Sequence, residues 1–248
     1  RGLRRAGAPV TLSAAVAPLP QGGLRYAWYV VFLLTATQLV SYVDRFLPSL
    51  LLGPIKADLA LTDFQVGLLL GPAFGLFYVM VTVPIGWLAD RWNRRAILSA
   101  GITLWCAMTC GGAFVRSFLP LFAMRLGVGL GEAAVAPCAV SLISDYFPRK
   151  ARGRALTFYN MGISLGVGVA LIFGGQVIAW VASAPPVTVP GIGELRSWQT
   201  VFILVGLPGL VIALLMLTVR EPARRDRLQV RKADGTVSED LSVRATVA

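Results

Sequence analysis

Four ionisable residues fall within stretches of sequence that are otherwise apolar: Asp44, Arg45, Arg125 and Glu132. A charge in an apolar segment is costly, and it is normally found facing a protein interior or a water-filled cavity. A carboxylate in such a place can take up a proton, and a guanidinium can bind an anion. These residues therefore predict a site that binds an anion and takes up protons. The alternative is a purely structural ion-pair network between two helices.

Helical spacing assigns these charges to particular faces. Gln38, Tyr42 and Arg45 follow one another at intervals of four and three residues, which places them on one face of a helix, with Asp44 on an adjacent face. Arg125 and Glu132 share a face of a later helix by the same rule. Gln38 and Tyr42 therefore join the four charged residues as candidates for substrate binding or coupling.

The depth of each charge predicts how the two helices pair. At a rise of about 1.5 Å per residue, Asp44 and Arg125 fall at similar depth in the outer part of a bilayer. We therefore expect them to pair, so that protonation of Asp44 frees Arg125 for an anion. Glu132 falls nearer the middle, where neither helix is predicted to supply a cation, and it is a second candidate for proton uptake.

The elements that carry these residues are long and apolar. Hydrophobic residues make up 56% of the chain and charged residues only 14%, whereas about a quarter of a soluble domain is charged. The apolar runs are long enough for six membrane-spanning helices of about 20 residues each. The predicted spans cover residues 26–47, 64–88, 96–115, 119–143, 155–181 and 198–219. The predicted fold is an all-α membrane protein, a bundle of six transmembrane helices over 26–219, with tails at 1–25 and 220–248.

The distribution of positive charge predicts the orientation in the membrane. The net charge is +11, and most of the 23 Lys and Arg residues fall in the two tails and in the loops after the second and fourth spans. An even number of spans places these four regions on one side, which the positive-inside rule identifies as the cytoplasm. Both termini are therefore predicted to be cytoplasmic. The charge indicates topology and not binding to nucleic acid.

Several kinds of chemistry are disfavoured by composition. The chain has no histidine, so it has neither a Ser–His pair for intramembrane proteolysis nor a His-ligated metal. Cys106, Cys110 and Cys138 lie in predicted spans and are interpreted as buried small residues. The isolated carboxylates do not form the cluster that a metal-dependent phosphotransferase needs. We therefore expect no enzymatic activity, no metal site and no resident cofactor.

The loop between the second and third spans carries the pattern G-x-x-x-D-R-x-x-R-R, formed by Gly86, Asp90, Arg91, Arg94 and Arg95. Gly86 would let a neighbouring helix approach closely. Asp90 would accept hydrogen bonds from a helix N-terminus or an arginine, and the arginines would keep the loop in the cytoplasm. The pattern resembles the signature loop of the major facilitator superfamily. That family usually has a second glycine where this chain has Asn93, and asparagine tolerates the left-handed backbone that such a turn needs.

Glycines at every fourth residue mark three of the spans. These are Gly67, Gly71 and Gly75, then Gly127 and Gly131, then Gly162 and Gly166. Stripes of small residues let helices pack closely in lipid. We interpret all three as packing faces and not as ligand contacts.

Five further segments resemble bacterial members of the Spinster group of facilitators. They are YVDR at 42–45, RLGVGLGEA at 125–133, DYFP at 145–148, SWQ at 197–199 and VREP at 219–222. Animal Spinster proteins are associated with the transport of sphingoid phosphates and lysophospholipids, so the resemblance implies an amphiphilic anion as cargo. Organic anion:cation symporters, which carry non-lipid carboxylates, have similar Asp-Arg and Gly-Glu-Ala pieces and are the alternative.

The superfamily resemblance also implies a larger assembly. Its members usually have twelve helices in two halves with the substrate between them. The resemblance implies that this chain is the N-terminal half of a secondary transporter in the bacterial inner membrane, working by alternating access with a C-terminal six-helix half. A six-helix protein that forms homodimers and a non-transporting scaffold are the alternatives.

Overall fold

The computed structural model describes residues 23–189, 193–224, 229–231 and 237–239. The predicted N-terminal tail at 1–25 lies outside the described residues except for its last three positions. Most of the predicted C-terminal tail is likewise outside them. The helices of the described part are α1 (Gly23–Leu50), α2 (Leu52–Leu59), α3 (Asp63–Leu70), α4 (Pro72–Ala89), α5 (Arg94–Gly111), α6 (Phe118–Glu132), α7 (Val135–Tyr146), α8 (Arg149–Ser183) and α9 (Ser197–Met216).

Six helical segments of the described chain are long and apolar enough to cross a membrane. Four consist mainly of one helix each, namely α1, α5, α8 and α9. The second combines α3 with α4, and the fourth combines α6 with α7. The predicted all-α bundle of six transmembrane helices is confirmed.

The second span is broken at Gly71, whereas the sequence predicted one helix over 64–88. Gly71 has φ −139° and ψ −104°, outside the helical region, and Pro72 begins α4. The break has a local cause, because a proline disfavours helical backbone at the residue before it and lacks the N–H that the helix would need. The start of α3 is regular: Thr62 and Gln65 form a capping box.

The fifth span begins earlier than the sequence predicted. The basic residues Arg149 to Arg154 were expected in a loop, but α8 begins at Arg149, directly after the extended Pro148. They therefore form the first turns of a helix 35 residues long. The connection from the fourth span is correspondingly reduced to Phe147 and Pro148.

Helix packing distinguishes the three glycine stripes. In the stripes of α6 and α8, a Cβ at Gly131 would lie 2.6 Å from Trp105 N, and one at Gly162 would lie 2.5 Å from Thr35 O. These two stripes let α6 approach α5 and let α8 approach α1, as predicted. Nothing lies within 4 Å of a Cβ built at Gly67 or Gly75. The stripe on the second span is therefore not a packing face within the described part of this chain.

Two short antiparallel hairpins accompany the helices. The first joins β1 (Val187–Val189) to β2 (Gly193–Leu195) between α8 and α9, with Thr188 opposite Glu194. The second joins β3 (Gln229–Arg231) to β4 (Val237–Glu239) after α9, with Val230 opposite Ser238.

Candidate functional site

The first ion pair of the candidate site joins α1 to α6. Asp44 is fully buried, and its Oδ2 lies 3.3 Å from Arg125 Nη1. Arg125 Nη2 also donates to the backbone oxygen of Asp44 at 3.2 Å. Thr109 of α5 donates to the other carboxylate oxygen at 2.9 Å. The predicted pairing of Asp44 with Arg125 is therefore confirmed.

A second ion pair lies beside the first. Glu132 Oε2 accepts hydrogen bonds from Arg45 Nη2 at 2.6 Å and from Arg45 Nε at 3.2 Å, and Ser41 donates to Glu132 Oε1 at 2.9 Å. The expectation that Glu132 has no cation at its depth on these two helices is wrong. We call these two pairs, Asp44–Arg125 and Arg45–Glu132, the charged seam.

The two arginines of the charged seam differ in exposure. The Arg45 side chain is 31% exposed, whereas that of Arg125 is 7% exposed. A small open pocket is lined by both arginines together with Leu69 and Leu70 at the end of α3. Arg45 is therefore the cation of the seam that is more accessible to a solute.

Aromatic rings lie close to both guanidinium groups. The Arg45 guanidinium carbon lies 5.0 Å from the ring centroid of Tyr42 and 5.1 Å from that of Tyr78 on α4. The Arg125 guanidinium carbon lies 5.9 Å from the ring centroid of Phe202 on α9. Cation–π attraction at these distances holds each cation in place without neutralising its charge.

Gln38 lies two helical turns before Arg45 on α1 and is half-buried. Its side-chain oxygen accepts a hydrogen bond of 2.9 Å from the hydroxyl of Tyr159 on α8. The predicted stripe of Gln38, Tyr42 and Arg45 is therefore brought together with residues of α4, α6 and α8.

Sequence reasoning missed the partners that come from other helices: Thr109, Tyr78, Tyr159 and Phe202. Each is a common residue type within an apolar span. Which way it faces depends on the rotation of its own helix, which hydrophobic periodicity specifies weakly when most positions are apolar. No local signal could have identified them.

The signature loop contains a second charged cluster, centred on Arg94. Arg94 is 1% exposed and pairs with Asp145 at the end of α7. Its Nε also lies 2.7 Å from Glu221 Oε1, and the backbone N–H of Arg95 donates to Glu221 Oε2 at 3.0 Å. Arg94 and Arg95 therefore attach the start of α5 to the segment after α9.

The other residues of the signature loop are arranged differently from what the sequence suggested. Asn93 is not left-handed: its backbone is extended, with φ −71° and ψ 109°, and its side chain caps α5 by accepting from Ala96 N. A Cβ at Gly86 would meet Pro137 Cβ only at 4.0 Å, so no close approach requires glycine there. Asp90 is exposed and makes no side-chain hydrogen bond within the described residues. Arg91 lies over Trp87, 4.0 Å from its ring centroid.

Comparison with known proteins assigns the family. A family model of the Major Facilitator Superfamily matches residues 9–245. The chain belongs to the Major Facilitator Superfamily, a family of membrane transporters.

Individual relatives refine this assignment. The chain is 36% identical to a crystal structure of a bacterial homologue of the human lysosomal transporter Spinster, with a TM-score of 0.73, and covers 45% of that protein with 82% of its own length. It is 32% identical to an MFS-type efflux pump of Mycolicibacterium smegmatis, over 79% of this chain and 42% of the pump. It is 30% identical to a probable L-galactonate transporter of Escherichia coli, over 82% and 43%. The predicted Spinster-like resemblance is confirmed, and the chain spans less than half the length of each of these relatives.

Proposed function

We propose that this chain is one half of a proton-coupled secondary transporter of organic anions. The observation that carries the proposal is the charged seam: two buried carboxylates, each paired with an arginine, between α1 and α6. Intramembrane ion pairs of this kind mark ion and substrate pathways. Family membership supports transport, and the seam supports the choice of an anion and a proton.

Proton uptake and anion binding would be coupled through the two ion pairs. A proton on Asp44 or Glu132 removes the negative charge that holds the neighbouring arginine. The released guanidinium then presents its N–H donors to a carboxylate or phosphate, which it can bind in a bidentate manner. Arg45 would contact the cargo first, since it is the more exposed of the two arginines.

A second six-helix half would complete the site. Each span contains an 18-residue stretch that is its most apolar part. Only 7% of this stretch is buried in the second span and 17% in the fifth, against 61% in the fourth. These two exposed spans offer the faces on which another half would pack. Alternating access would follow from rocking of the two halves around the seam. The exposed Asp90 would then accept hydrogen bonds from the other half.

The proposed location is the bacterial inner membrane with both termini in the cytoplasm, as the charge distribution indicates. The proposed partners are protons, the lipid bilayer and the anionic cargo. We propose no enzymatic activity and no resident metal or cofactor.

The cargo belongs to one of two classes. The resemblance to Spinster proteins favours an amphiphilic anion, such as a lysolipid or a sphingoid phosphate. The similarity to a probable L-galactonate transporter favours a small hydroxylated carboxylate as the second candidate.

The test uses the full-length transporter in proteoliposomes with an imposed pH gradient. Uptake of 1-lauroyl-lysophosphatidic acid and of L-galactonate would be measured separately. We expect the gradient to drive uptake of one of them, and Arg45→Gln to abolish that uptake. Arg116→Gln is the matched control, because it removes an exposed arginine that lies outside both the seam and the signature loop. Absence of gradient-driven uptake for both solutes would refute the proposal.

A further inference from the structure

Tyr159 is a buried tyrosine whose hydroxyl forms a hydrogen bond with Gln38. It is 3% exposed, and its hydroxyl donates to Gln38 Oε1 at 2.9 Å. Gly162, one turn further along α8, allows this contact, because a Cβ there would lie only 2.9 Å from Gln38 Cβ. The close packing of α8 on α1 therefore fixes both the position of Gln38 and the direction of its carboxamide.

The nitrogen of that carboxamide can still donate hydrogen bonds. Gln38 Nε2 makes no hydrogen bond within the part of the chain that the structure describes, and the side chain is half-buried and not enclosed. An amide nitrogen has two N–H donors and no acceptor capacity. The bond from Tyr159 to the amide oxygen therefore leaves a pair of donors directed away from α8.

We propose that Tyr159 is a positioning residue that aims the Gln38 amide N–H groups at a neutral oxygen acceptor of the transported anion. This inference rests on the proposed function, because it assumes that the anionic group of the cargo binds Arg45. Gln38 precedes Arg45 by about 10 Å along the helix axis. The Arg45 guanidinium leans back over the ring of Tyr42, one turn nearer to Gln38.

This geometry defines the chemical class of the cargo. The cargo carries, within about 10 Å of its carboxylate or phosphate and on the cytoplasmic side of it, a hydroxyl or carbonyl oxygen. Both a hydroxylated sugar acid and the glycerol ester of a lysophosphatidic acid have such an oxygen. A simple alkyl carboxylate or alkyl phosphate does not.

The experiment measures binding to the full-length transporter in lipid nanodiscs with two matched pairs of probes. One pair is L-galactonate and hexanoate, and the other is 1-lauroyl-lysophosphatidic acid and dodecyl phosphate. We expect Tyr159→Phe to weaken the oxygen-bearing member of the bound pair about three- to tenfold, the effect of one hydrogen bond. Binding of the other member should not change, and transport should show a higher KM with an unchanged maximal rate. Gln38→Leu should produce the same selective loss, and the double variant no further loss.

Tyr29→Phe is the matched control. It removes a tyrosine hydroxyl bonded to Thr218 Oγ1 at 2.8 Å, far from the charged seam, and should leave both members of each pair unaffected. Equal weakening of both members by Tyr159→Phe, or no weakening of either, would overturn the inference while leaving the proposed function intact. If the wild-type protein binds neither pair, the proposed function fails, and the inference fails with it. The pair that binds shows whether the cargo is a sugar acid or a lysolipid.

Discussion

At the scale of single residues, Asp44 is the side chain on which the proposed coupling depends most directly. It is fully buried and bonded to both Arg125 and Thr109. Asparagine at this position keeps the shape and a hydrogen bond to Thr109 but resembles the protonated acid permanently. We expect Asp44→Asn to retain measurable anion binding and to lose the pH dependence of transport, measured as uptake in proteoliposomes between pH 5 and 8.

The control for this prediction is an exposed carboxylate. Asp63 at the start of α3 pairs with Lys56, outside the charged seam, and has a side chain that is 92% exposed. Asp63→Asn should keep the wild-type pH profile. If Asp44→Asn also keeps that profile, Asp44 has a structural role only.

The two ion pairs also show which pairings could be predicted from the depth of each residue in the membrane. Counting the rise per residue correctly paired Asp44 with Arg125. It missed the pair of Arg45 with Glu132, because a long side chain on a helix leans toward the N-terminus of that helix. For Arg45 this is the direction of Glu132.

At the scale of elements, Arg94 connects three of them. Its guanidinium links the start of α5 to Asp145 on α7 and to Glu221 after α9, and it is almost completely buried. Removing one partner of a buried ion pair leaves an uncompensated charge and costs about 3–5 kcal/mol. We expect Arg94→Leu to lower the thermal unfolding midpoint of the purified protein clearly. Arg91→Leu, which loses an exposed contact with Trp87, should cost about 1 kcal/mol or less. Equal midpoints for the two variants would contradict this account.

The glycine stripes give a second prediction at the same scale. Sequence spacing treats Gly131 and Gly67 alike, but only Gly131 has backbone atoms of a neighbouring helix in the space a methyl group would take. We expect Gly131→Ala to destabilise the protein by about 1–3 kcal/mol through overpacking. Gly67→Ala should be neutral in a thermal unfolding measurement on residues 1–248. A destabilising Gly67→Ala would reveal a contact that the described residues lack.

These stripes show why the fold was more predictable than the site. Six apolar runs are sufficient to specify a six-helix bundle, because each run must satisfy its own backbone in lipid. Which glycine stripe meets a partner depends on how the helices are rotated about their axes. A run that is apolar on every side carries little of that information, so the stripe of Gly67 and the partner Tyr78 could not be placed.

At the scale of the whole molecule, contacts bring together the elements that are proposed to face the cytoplasm. Tyr26 near the start of α1 donates to Thr218 O, and Arg95 Nη1 donates to Val219 O. The start of α1, the signature loop and the segment after α9 therefore meet at one end. We expect a membrane-impermeant maleimide to label Asn93→Cys and Lys150→Cys from the cytoplasmic side only. Ala57→Cys, exposed on α2 between the first two spans, should be labelled from outside. Labelling of Asn93→Cys or Lys150→Cys in intact cells would disprove this orientation.

The last prediction concerns transport by this half alone. The charged seam supplies two cations and two carboxylates, but the surfaces of the second and fifth spans are largely uncovered. The pocket beside Arg45 and Arg125 is open and not closed by a second wall. Alternating access requires an opposing half that closes each side in turn. We therefore expect purified residues 1–248 in liposomes to show no saturable uptake of 1-lauroyl-lysophosphatidic acid or L-galactonate, while the full-length transporter takes up one of them. Residues 1–248 could instead show saturable uptake, with a rate per molecule that rises with protein density in the membrane. That result would mean that two copies of this half assemble into a working transporter.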